Sequence, residues 1–103
     1  MSVLEQVLKE ELGRLERNVS YYEQLLSSLP RGSIFIRKIG SSSFAYRKRK
    51  ENGMVVSVYL GNLNQESVQN EIELSEEYKR IKGNLRIAKQ ELYKLRKAVK
   101  VYG

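Results

Sequence analysis

Between residues 30 and 61 the chain reads PRGSIFIRKIGSSSFAYRKRKENGMVVSVYLG and alternates in polarity every two residues, while both flanking segments repeat at helical spacing. A chain with that change of period folds as strands held between two helices. The alternating stretch also carries its own punctuation. Asn52-Gly53 suits a two-residue type I′ turn, because both central positions need positive φ and Asn followed by Gly accepts it at low cost. Residues 43–50 and 54–60 are therefore expected to pair. Gly40-Ser41-Ser42-Ser43 is a second turn, of two or three residues, with 34–39 as the strand before it. The expectation is a meander over 33–60, since a third strand steadies a hairpin that alone is marginal.

Two-residue turns sort the side chains by parity, because residues directly across a ladder point the same way. One face then carries Ile34, Ile36, Ala45, Met54, Val56, Val58 and Leu60, with Arg47 and Arg49 among them. The other carries Phe35, Arg37, Ile39, Phe44, Tyr46, Lys48, Lys50, Val55 and Tyr59. The aliphatic face is expected to pack on the helices, leaving an aromatic and basic face toward solvent. A three-residue first turn would shift the parity of the first strand.

The first helix is expected over 2–29, capped by Ser2 and stopped by Pro30, which biases Leu29 away from helical ψ. Its seam is Leu8, Leu12, Leu15, Val19, Tyr22, Leu26 and Leu29, alternating steps of four and three, with Leu4 one turn earlier. The second helix is expected over 63–101, with Asn62 or Asn64 as cap and Gln65 in the reciprocal position of a capping box. Its seam is Leu74, Tyr78, Ile81, Leu85, Ala88, Leu92, Leu95, Val99 and Tyr102, with Val68 and Ile72 off register. The fold class is thus α+β: a long antiparallel, coiled-coil-like helical hairpin with a two- to three-stranded antiparallel sheet inserted at its tip, a single domain. At ~1.5 Å per residue the helices are ~42 Å and ~55–60 Å long, so the second is expected to overhang. A homodimer through the heptad seams is expected too, because Val3, Val7, Leu25, Ile72 and Ile87 lie beside them.

The formal charge is +7, unevenly spread: residues 1–30 hold 3 basic and 5 acidic groups, 31–61 hold 7 and 1, and 62–103 hold 9 and 6. The sheet carries most of the excess. In the second helix all 9 cations follow position 78, in keeping with the helix dipole, and are expected beside Glu5, Glu10 and Glu11 of the first. There is no Cys and no His, which removes disulfides, thiolate chemistry, imidazole acid–base work and the usual zinc sets. The start of the chain lacks a basic segment leading into an apolar run, and no stretch approaches membrane-spanning length. The expected location is cytoplasmic, with no membrane partner.

The order of a helix, Leu29-Pro30-Arg31-Gly32-Ser33, a strand, an aromatic and basic strand with Phe44, Tyr46 and Arg47, an Asn-Gly turn and Tyr59-Leu60-Gly61 before a charged heptad helix resembles a known family. These are small helix/β-hairpin/helix coiled-coil proteins of Gram-positive bacteria and their mobile elements. The hairpin is also similar to a segment near the start of some insertion-element transposases. The likeness covers the whole chain in architecture, but its specific motif spans only ~30 residues. Ala45 stands where another aromatic is expected, and Met54 where a Lys is usual. The resemblance implies the architecture and a mobile-element context, and no mechanism.

Aromatic rings interleaved with cations on a strand surface suit nucleic acid, since bases stack on rings for ~1–3 kcal/mol each while Lys and Arg follow the phosphates. The candidate residues are Phe35, Arg37, Phe44, Tyr46, Arg47, Lys48, Arg49, Lys50 and Tyr59. Because 47–50 alternate across both faces, only two of those four cations can share one surface. Competing readings stay open. A cross-strand Tyr pair beside a Lys stabilises a sheet, cations protect exposed strand edges, and the same face would fit an acidic protein surface. The serines at 41–43 could form a small anion nest, but a plain turn explains them. The helical Glu residues lack the spacing of a carboxylate metal site, and a Tyr nucleophile would lack its His. The expectation is a non-enzymatic accessory protein without cofactor or metal that binds nucleic acid, with an interaction module or inhibitor as the alternative.

Overall fold

The computed structural model describes residues 2–102, without the side chain of Tyr102, so the seam position at Tyr102 and the basic run's end at Gly103 lie outside the described residues. The elements follow in the order α1 (Val3–Ser27), β1 (Ser33–Ile39), β2 (Ser42–Glu51), β3 (Met54–Asn62) and α2 (Glu66–Tyr102). This is an α+β chain with a three-stranded antiparallel sheet between two helices. Two compact units arise: Leu29–Lys79 is one, and α1 with the part of α2 from Arg80 onward is the other.

In the first unit the strands lie in the order β1-β2-β3. Both turns have two residues. Asn52 and Gly53 take φ of 52° and 79°, the type I′ geometry that the pair suits, while Gly40 alone takes positive φ, 63°, in the turn before Ser42. Ser42 and Ser43 are therefore strand residues, paired with Ile39 and Lys38. The expected parity holds along β1 and along β2 as far as Tyr46, which stands opposite Tyr59. There a bulge intervenes, and Gly61 instead of Leu60 stands opposite Ala45.

The bulge lies where the sheet meets the start of α2. Ala45, Gly61 and Val68 are buried, and a Cβ on Gly61 would come within 2.1 Å of Gln65 Oε1 and 3.0 Å of Val68 Cγ2. Only glycine allows that approach. The helix starts three residues later than expected: the Gln65 side chain does reach back to the Asn62 N–H at 3.0 Å, but residues 62–65 form a turn and the first helical residue is Glu66. Against the sheet the stripe also differs. Val68 and Ser75 are buried while Leu74 is 38% exposed, so the buried stripe of α2 runs one position off the expected seam here.

In the second unit Ser2 caps α1, its Oγ accepting from the Glu5 N–H at 3.1 Å. The helix ends at Ser27, two residues before the expected stop, where the Ser28 N–H closes the last turn on the Leu25 carbonyl. Leu15 of α1 and Ile81, Leu85, Ala88 and Leu92 of α2 form the buried seam. Ion pairs fix its register: Glu23 lies 3.7 Å from Lys89 and Glu16 lies 3.6 Å from Arg96, one heptad back on α1 and one heptad forward on α2.

That register bears on two expectations. Among the described residues the ion pairs between the helices use Glu16 and Glu23; Glu11 lines a groove with Lys94 of α2, as expected, but bonds to Arg14 on its own helix. Nor does α2 overhang at its basic end, since the register set by these two pairs carries the first residues of α1 past the end of α2. The physical reason is that α2 spends its first turns on the sheet, so only its later residues face α1.

Candidate functional site

Pairing places Phe35 and Tyr59 on either side of Tyr46, and Phe44 two residues along β2 from it. Their rings form a ladder across all three strands. Phe35 and Tyr46 stack at 5.2 Å with planes 16° apart, Tyr46 and Tyr59 lie 5.5 Å apart and tilted, and Phe44 lies 6.2 Å from Tyr59. Such pairs contribute about 0.5–1.5 kcal/mol each beyond area burial. Around them, Lys48 Nζ sits 4.8 Å from the Phe35 ring centre and Arg37 Cζ sits 5.8 Å from that of Tyr46.

The rings are not equivalent. Phe35 and Tyr46 turn faces toward one another and have cations over them, so both are half-buried by their own neighbours. Tyr59 is tilted to both adjoining rings and remains 57% exposed. It is the open plate of the cluster.

Seven of the nine candidates share this face: Phe35, Arg37, Phe44, Tyr46, Lys48, Lys50 and Tyr59. Arg47 and Arg49 do not join them. Arg47 is 6% exposed, donating to the Glu71 carboxylate at 2.5 Å and the Arg31 carbonyl at 3.3 Å, which removes it from any solvent-facing surface. Arg49 shares its face and pairs with Glu51 at 2.6 Å. Strand parity alone puts both on the aliphatic side, so the correction was available from the alternation. The partner Glu71 was not, because it lies 24 residues away on a helix.

Sequence reading passed over Ser33 and Ser57. Ser33 lies opposite Lys48 on one side and Ser57 on the other, so their hydroxyls flank that cation on the aromatic face. Extending the parity argument to small polar residues finds them. The strand residues on this face include no carboxylate, since Glu51 falls on the opposite one. Chemically the arrangement offers a cluster of π faces, three cations beside them and hydroxyl donors. Searches against protein-family models, curated proteins and solved structures each found no match for this chain. No helix among the described residues is long and apolar enough to cross a membrane.

Proposed function

We propose that this is a non-enzymatic nucleic-acid-binding accessory protein that acts through the aromatic and basic face of its sheet. One observation carries the reading: the ladder Phe35–Tyr46–Tyr59–Phe44 lies on the same exposed face as Arg37, Lys48 and Lys50. Each base laid on an open ring gains about 1–3 kcal/mol, and cations beside the rings neutralise the phosphates between successive bases. The resemblance to proteins of Gram-positive mobile elements supports an accessory role in that setting.

The alternative is an acidic protein surface docking on the same face. The mutual stack of Phe35 on Tyr46 favours it, since rings that already satisfy one another stabilise the sheet without any base. Backbone amide spectra recorded during titration with a short oligonucleotide separate the two. The nucleic-acid reading expects shifts concentrated at Arg37, Tyr46, Lys48 and Tyr59, with Arg47 and Arg49 unmoved. Unchanged spectra at low salt would contradict it and leave the protein partner.

A further inference from the structure

We infer that the free edge of β3 is a self-association surface and that its occupant is the β3 of a second copy, paired antiparallel. β3 is an outer strand with β2 on one side and no strand on the other. In the turn at Asn52-Gly53, Glu51 and Met54 flank the two central residues and are bonded across it, and bonded and non-bonded pairs alternate from there. Met54, Val56 and Val58 thus direct their backbone groups at β2. Val55, Ser57 and Tyr59 direct theirs outward, where a strand can meet them.

Outer strands ordinarily carry charges that prevent such pairing. The other edge does: β1 holds Arg37 and Lys38. β3 reads Met-Val-Val-Ser-Val-Tyr-Leu-Gly-Asn, with no charge and no proline, and Met54, Val55 and Tyr59 are 71%, 63% and 57% exposed. In a chain of net charge +7, this is where two copies can approach without setting like charges directly opposite.

The strand is self-complementary about Ser57. Antiparallel pairing centred there sets Ser57 against its counterpart and Val55 against Tyr59 of the second copy, on the same face. A two-fold axis through that point, normal to the sheet, keeps both aromatic faces on one side. The rings of two copies then join one continuous surface. The pairing also closes, because the edges left outermost are the charged β1 strands.

Sedimentation of the native chain at tens of micromolar, with Ser57→Pro and Ser57→Lys, tests this. Proline removes an outward N–H and no bond to β2, while lysine would oppose its own copy across the axis. The expected result is a native dimer, with slowed hydrogen exchange at Val55, Ser57 and Tyr59. Either variant with native circular dichroism should be monomeric, and should Ser57→Pro unfold, Ser57→Lys decides. A native monomer overturns the proposal, as does a dimer that survives Ser57→Lys. The latter outcome would place self-association on the apolar residues beside the helix seams.

Discussion

Arg47 and Glu71 meet at 2.5 Å, joining the buried face of β2 to the second turn of α2 although 24 residues separate them in sequence. The two ends are unequally placed, with side-chain exposures of 7% and 39%. Loss of Glu71 strands a buried guanidinium on a single carbonyl, whereas loss of Arg47 leaves a carboxylate that water still reaches. Glu71→Ala should therefore cost about 2 kcal/mol in urea denaturation. Arg47→Met, of similar length and apolar, should cost less than about 1 kcal/mol and leave any nucleic-acid affinity unchanged. Equal losses in both variants would contradict the asymmetry.

The glycines of the sheet unit should separate in the same way. Gly32 has φ of 100°, and a Cβ there would meet the Lys48 carbonyl oxygen at 2.3 Å, whereas one at Gly53, φ 79°, meets nothing within 4 Å. Gly53→Ala carries only the left-handed strain of about 1–2 kcal/mol. Gly32→Ala adds a backbone clash and should lower the thermal midpoint further, as a melting curve would report.

The helix register makes a third prediction. The pairs Glu16–Arg96 and Glu23–Lys89 are exposed, and each should contribute under about 1 kcal/mol, screened by salt. Reversal of both acids to Lys should lower stability at low ionic strength, and further reversal of Arg96 and Lys89 to Glu should restore it. The same reversals at Glu5 and Glu10 should have no such coupling in a double-mutant cycle.

Stability and binding should part company on the aromatic face. Phe35 is stacked on Tyr46 beneath Lys48, so Phe35→Ala should cost folding stability, by about 1 kcal/mol or more from the lost ring pair alone. Truncation of Tyr59, the open ring, also removes its two tilted ring pairs and should cost stability of the same order, but it should in addition weaken oligonucleotide binding about tenfold, the equivalent of ~1.4 kcal/mol of stacking. Urea melts and binding isotherms on both variants give the comparison.

Much of this architecture was legible in local chemistry. Asn52-Gly53 set one register outright, and the pairing of Tyr46 with Tyr59 followed from it together with the membership of both faces. What escaped were features of packing between separate elements. The bulge at Ala45/Tyr46 lies where Val68 of α2 closes on Gly61, 7 residues away in sequence, and the buried stripe passes through Ser75 and not Leu74. The burial of Arg47 was implied by parity. Its charge obscured that, because a cation at a strand position reads as a solvent contact until a carboxylate is found for it.

The central claim, that the aromatic and basic face binds nucleic acid, is tested most directly by fluorescence anisotropy. Labelled single strands of DNA and RNA and a duplex would each be titrated at low and moderate salt, with native protein and the Tyr46→Ala, Lys48→Ala double variant. The account predicts binding that weakens as salt rises and falls sharply in the double variant, while that variant keeps its circular dichroism. Absence of binding at low salt, or binding that the double variant retains in full, would contradict it.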